Sequence, residues 1–186
     1  MKITKVTEDA VATLLDDLLK RSPNNYTGYA DKVQAIIDDV RERGDEALFE
    51  MTKRFDGADL NADNIRVTQA EIDEAYTLVD ASLIEVIRKS MTNIRVYHEK
   101  QRQYGWFDTT PDGTILGQKV TPLQSTGVYV PGGKAAYPSS VLMNVIPAKV
   151  AGVEKIVMVT PPTENLNQAV LAAAKIAGVD RVIGVG

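Results

Sequence analysis

The sequence of 186 residues has no cysteine, which removes disulfides, thiolate metal sites and any catalytic thiol, and fits a reducing compartment. It has one histidine, His98, so no second imidazole is at hand to complete a metal site. Long apolar runs are missing too. Runs such as Ile156-Val157-Met158-Val159 fall far short of the ~20 residues a membrane span needs. Behind Met1-Lys2-Ile3-Thr4-Lys5 there is no apolar segment, and the chain soon turns acidic, so no secretory signal is expected and a cytoplasmic location is. Basic charge is short as well: 21 Lys and Arg face 25 Asp and Glu, a net charge of -4, which argues against nucleic acid as the main partner.

With 44% hydrophobic and 25% charged residues, the remainder reads as a globular chain rather than a disordered one. Charge divides it. Residues 123–186 carry five basic and three acidic side chains, for +2, leaving -6 in residues 1–122. Two regions are expected, 1–122 mainly helical with a β-hairpin, and 123–186 of alternating strands and helices.

In the first region, Val11, Leu14, Leu15, Leu18 and Leu19 recur at helical spacing behind Thr7, a candidate N-cap. Val33, Ile36, Ile37 and Val40 form a second stripe that Gly44 is placed to end. A short helix with Ala47, Leu48, Met51 and Phe55 closes at Asp56-Gly57. Thr68-Gln69-Ala70-Glu71 has the form of a capping box ahead of Ile72, Ala75, Tyr76 and Val79. A long helix follows to about Gln103, its stripe read as Leu83, Ile87, Met91 (or Ser90), Ile94 and Tyr97. Pro111-Asp112-Gly113 then marks the turn of a hairpin with arms Gly105–Thr109 and Thr114–Val120. Trp106 and Phe107 on it read as anchors of a core or an interface.

Beyond the hairpin the pattern is β-α-β-α-β. Gly127–Val130 is a strand broken by Pro131-Gly132-Gly133. A helix opens at Ser139 or Ser140, with Pro147 kinking it, and stops at Gly152. Lys155–Thr160 is the second strand, ended by Pro161-Pro162. Leu166–Ala177 is a helix closed by Gly178, and Arg181–Val185 is the third strand. Right-handed crossovers make the three strands parallel in one sheet. Three such strands with helices make half of an open α/β fold, and the sequence reads as cut at Gly186, where a further helix is expected.

Ligands of open α/β sheets bind at the carboxyl ends of the strands. Here these are Tyr129–Gly133, Thr160–Pro162 and Val185-Gly186. The glycines permit close backbone approach, and Tyr129 offers a ring to a base or a hydroxyl to a ribose. Neither a G-x-G-x-x-G segment nor a Walker A loop is present, so nucleotide binding and a plain tight turn both remain readings of Pro-Gly-Gly. Lys134 reads as an exposed loop lysine or a phosphate contact. Ser139 and Ser140 read as helix caps or hydroxyl ligands. His98 reads as a surface or helix-packing residue, with Glu99 turned ~100° away around the helix. In the last 64 residues only Glu154, Glu164 and Asp180 are acidic, and none stands at a strand's carboxyl end. No catalytic constellation is legible.

The string Gly127-Val128-Tyr129-Val130-Pro131-Gly132-Gly133, Pro138-Ser139-Ser140-Val141-Leu142-Met143-Asn144, Pro147-Ala148-Lys149-Val150-Ala151-Gly152-Val153 and Thr160-Pro161-Pro162 resembles histidinol dehydrogenase. Upstream, Val40–Leu48, Arg54-Phe55-Asp56 and Gly117-Gln118 agree in order. The resemblance implies an α/β protein with a helical N-terminal region and an incomplete Rossmann-like β-α-β-α-β half-sheet. It implies a homodimeric enzyme, with active sites using both chains, that oxidises L-histidinol to L-histidine through the aldehyde. Two NAD+ are reduced and one zinc ion is held per site. Its NAD contacts carry over to Phe55, Tyr129, Pro131 and Pro161. Zinc ligands, base and proton shuttle belong to segments beyond Gly186, so no catalytic and no metal-binding residue is carried over, and the chain alone is expected to be inactive. The alternative expectation is a stand-alone, non-catalytic module that binds a nucleotide or a protein. An aldehyde dehydrogenase is disfavoured, because no cysteine nucleophile exists.

Overall fold

The computed structural model describes residues 5, 7–11, 27–132, 137–162 and 166–186. The chain divides into two compact units, Met1–Leu48 and Phe49–Gly186.

In the first unit the Thr7 hydroxyl accepts a bond from the Ala10 amide at 3.2 Å, the N-cap its sequence suggests, and residues 8–11 are helical. Leu14, Leu15, Leu18 and Leu19 lie outside the described residues. Helix α1 (Thr27–Arg43) ends at Gly44, whose φ of +62° lies in the left-handed region that glycine enters without strain. Arg43 holds Asp39 one turn back by two bonds, of 2.7 and 2.9 Å, and this keeps the Asp39 carboxyl below its usual pKa range. Val33, Ile36 and Ile37 of its apolar stripe are exposed. Helix α2 (Asp45–Asp56) begins after the Gly44 turn in the first unit and ends within the second at Gly57, with φ +72°.

The second unit is built on a four-stranded sheet. Strands β4 (Ser125–Tyr129), β5 (Lys155–Thr160) and β6 (Arg181–Gly184) are parallel neighbours, as the β-α-β-α-β pattern requires. The sequence reading did not include β1 (Arg66–Val67), which adds an antiparallel edge beside β6. Two residues are too few for a periodic signal, and pairing alone makes them a strand.

Helices α5 (Pro138–Ala151) and α6 (Gln168–Ala177) connect the parallel strands and pack against each other. Helices α3 (Gln69–Leu78) and α4 (Ala81–Glu99) lie on them, α3 on α6 and α4 on α5. Lys175 of α6 reinforces the first pairing, bonding Asp73 at 2.8 Å while standing 4.7 Å over the Tyr76 ring.

Alternation along the strands sorts the side chains. Val128, Ile156, Met158 and Val182 are buried in one core with Val141, Val145 and Ile146 of α5, Leu171 and Ala174 of α6, Ile72 and Ile87. Each fully buried aliphatic side chain of this kind contributes about 1.5–3 kcal/mol. On the opposite face, Val157, Val159 and Ile183 are only half-buried and Tyr129 is exposed. Helices α3 to α6 all contribute to the core on one side of the sheet.

Three details depart from the sequence reading. The α4 stripe runs through Ile84, Ile87, Met91 and Ile94 rather than Leu83 and Tyr97, both of which are exposed. Apolar residues on both sides of the stripe make its axis ambiguous until its packing partners are known. The helix also stops at Glu99, after which tight turns bond Gln101 to His98 and Arg102 to Glu99. At α5 neither serine is the cap: Tyr137 is, without a side-chain bond, and Pro138 occupies the first turn with its φ already helical. Pro147 stands inside α5 and frees the Met143 carbonyl, and the helix runs on to Ala151 and a left-handed Gly152, φ +90°.

The hairpin forms as expected, from β2 (Trp106–Thr109) and β3 (Ile115–Gln118), with Asp112 bonding the Thr114 amide at 3.1 Å in the turn. Trp106 and Phe107, at 56% and 68% exposure, anchor no core among the described residues.

Candidate functional site

The carboxyl ends of the parallel strands converge through their loops. Tyr129 is the last residue of β4, 56% exposed, on the sheet face away from α3 to α6. Pro131 follows, half-buried. A Cβ added at Gly132 would lie 3.3 Å from Pro161, so the loop after β4 rests on the loop after β5, and glycine is what permits that approach. Pro161 also faces the end of β6: a Cβ at Gly186 would lie 3.1 Å from it. The same point is 3.0 and 3.1 Å from the two carboxylate oxygens of Asp56. The end of α2, which comes from outside the β-α-β-α-β segment, therefore arrives at the sheet edge and brings Phe55 with it.

Phe55 is 62% exposed, and the Arg54 guanidinium stands 5.2 Å from its ring centre. Stacking of this kind keeps an aromatic face presented without burying it. Of the four candidate contacts, Pro131 and Pro161 flank the Gly132 junction, Tyr129 stands at its strand end, and Phe55 is adjacent to the contacting Asp56. Gly133 and Lys134 lie outside the described residues. Ser139 and Ser140 fall in the first turn of α5, where no side chain caps the helix and the Ser140 amide donates to the Tyr137 carbonyl at 3.0 Å.

Arrangements of this sort can hold a flat ring against apolar surface and take a polar chain across glycine backbone. Proton chemistry needs more. Among the described residues no three of His, Asp and Glu gather where a metal could sit. Asp180 is occupied at the opposite edge of the sheet, accepting from the Ile156 amide at 2.8 Å and from Lys149 at 3.5 Å. Glu164 lies outside the described residues. His98 bonds Gln101 at 2.7 Å and meets the Tyr97 ring edge-on, a helix-end role.

Two hollows lie elsewhere. One of about 750 Å³ runs between α3 and the start of α6, beside Glu71, Asp80, Leu83 and Asn167. Another of about 610 Å³ lies by His98, Arg102, Thr126 and Pro147. Neither includes Phe55, Tyr129, Pro131 or Pro161. Strand topology outweighs size here, because glycine and exposed rings meet at the carboxyl ends. Sequence reasoning assigned no role to Asp56, although it stands in the Arg54-Phe55-Asp56 segment; the signal was its place directly after the aromatic residue.

Residues 19–186 match the family model for histidinol dehydrogenase. Among curated proteins, the histidinol dehydrogenase of Pseudomonas putida is 52% identical over 174 residues, covering 92% of this chain and 40% of that protein. That of Bacillus subtilis is 53% identical over 171 residues, covering 90% of this chain and 40% of its own length. A crystal structure of histidinol dehydrogenase from Elizabethkingia anophelis superposes with a TM-score of 0.78 at 35% identity, covering 85% of this chain and 36% of that one. The chain thus spans about two fifths of the length of these curated relatives.

Proposed function

Since the chain belongs to the histidinol dehydrogenase family, we propose that it is the N-terminal part of an NAD- and zinc-dependent enzyme that oxidises L-histidinol to L-histidine through the aldehyde. The enzyme is a homodimer of the cytoplasm in this reading. The chain's share is part of the cofactor platform, with Phe55, Tyr129, Pro131 and Pro161 as the contacts. The observation that carries this is the junction of Gly132, Pro161 and Gly186 with the end of α2.

Bound NAD would supply the hydride acceptor. What the chain's own residues do is hold it. Phe55 and Tyr129 offer exposed aromatic faces to the flat adenine, and Pro131 and Pro161 give it rigid apolar walls that lose no rotamer freedom. Gly132 keeps the backbone close without a side chain in the way. Zinc does not fit here: no described cluster offers it ligands, and its site is assigned to the remainder of the polypeptide. The same holds for the base that takes the substrate proton. On this reading the 186-residue chain is inactive alone.

The test compares the chain with the polypeptide extended to family length, following NADH formation with L-histidinol. Activity is expected only from the longer protein. Tyr129→Ala in it should raise KM for NAD about fivefold, from the loss of ~1 kcal/mol of ring contact, at little change in kcat. Turnover by the short chain, or an unchanged KM in the variant, would refute the respective claim.

A further inference from the structure

In dinucleotide-binding β-α-β units, an acidic side chain at the end of the second strand accepts bonds from the adenosine ribose. Here that strand is β5, and among the described residues its end carries buried Thr160 followed by Pro161-Pro162, which have no acceptor side chain; Glu164 lies outside the described residues. A carboxylate is nonetheless there. Asp56 reaches the edge from α2: both its oxygens lie within 3.1 Å of the Cβ position of Gly186, and that position is itself 3.1 Å from Pro161. The side chain is exposed, so a ligand can reach it. It directly follows Phe55, one of the proposed adenine contacts.

We propose that Asp56 selects NAD over NADP, its carboxylate accepting hydrogen bonds from the adenosine ribose hydroxyls beside Pro161. The inference rests on the cofactor reading above and deepens it. A carboxylate only accepts and has two oxygens, while an unmodified ribose presents two neighbouring hydroxyl donors. A ribose carrying a 2′-phosphate offers no donor there and brings negative charge against negative charge. Discrimination therefore comes from attraction and repulsion at one group. Asp56 is a specificity residue on this account and takes no part in hydride or proton transfer.

The experiment uses the family-length protein and titrates NADH and NADPH by calorimetry, with melting temperature recorded for each variant. Wild type should prefer NADH. Asp56→Ala should weaken NADH about tenfold and leave NADPH unchanged or tighter, so that the preference falls by at least that factor. Asp56→Asn, which keeps the shape and removes the charge, carries the same expectation for NADPH should the alanine variant not fold. Asp56→Glu should retain the preference for NADH. Equal losses for both cofactors, or an unaltered preference, would overturn the proposal, since a merely structural aspartate would act on both alike. Phe55→Ala and Tyr129→Ala serve as controls: if they leave NADH affinity intact, the cofactor site itself is misplaced, whereas if they weaken it and Asp56 does not shift the ratio, only the selectivity claim fails.

Discussion

At the scale of single residues, the start of α3 shows two groups satisfying each other. The Thr68 hydroxyl accepts from the Glu71 amide at 3.2 Å, and the Glu71 carboxylate accepts from the Thr68 amide at 2.7 Å. Bonds to Thr68, side chain first and then backbone, lower the Glu71 pKa. Asp73, two residues on, is lowered chiefly by its bond to Lys175 and then by Gln69. Thr68→Ala should cost about 1 kcal/mol, read as a lower urea midpoint, with Thr68→Ser restoring most of it. The pH dependence has a fixed sign. Both carboxyls are depressed in the folded chain, so their contribution is full above the ordinary carboxylate range and is lost as pH falls through the lowered values. Urea midpoints taken from neutral to acid pH should fall, and Glu71→Gln should flatten part of that slope. This box was legible in the sequence because it is local: its partners are three residues apart. Asp56 was not, because its neighbours Pro161 and Gly186 are brought to it only by the sheet.

Among elements, the hairpin depends on one missing side chain. A Cβ at Gly117 would collide with the Phe107 ring and with the Trp106 carbonyl, part of the facing strand's own backbone. Phe107 lies opposite Gly117 in the register, its ring over the bare glycine. Gly117→Ala should therefore break the β2–β3 pairing and not merely loosen it, visible in amide exchange and in the fluorescence of Trp106, the sole tryptophan. If both signals stay as in wild type, the register assigned here is wrong. Elements bounded by glycine were the readable ones. Gly44, Gly57, Gly152 and Gly178 all take positive φ at helix ends, where the sequence placed them. Elements decided by packing were not: the α4 stripe shifted to Ile84, and α5 began at Pro138 without a serine cap.

For the molecule as a whole, the less buried face of the sheet has a measurable result. Val157, Val159, Ile183 and Tyr129 form a half-buried to exposed apolar band on the sheet face away from α3 to α6. The 186-residue chain alone should bind a hydrophobic dye and associate with rising concentration in sedimentation experiments, and the family-length protein should do less of both. A dye-silent monomer would mean that the band is covered by some other route. The β-α-β-α-β order was readable at this scale, since each crossover is short and joins neighbouring parallel strands. Strand β1 was not, and it bears on how the molecule comes into being. Its ladder partner β6 lies more than a hundred residues downstream. On the ribosome, Arg66 and Val67 emerge long before that partner exists, while α3 and α4 can already coil from local contacts. Closing the sheet at this edge must then wait until nearly all of these residues have been synthesised.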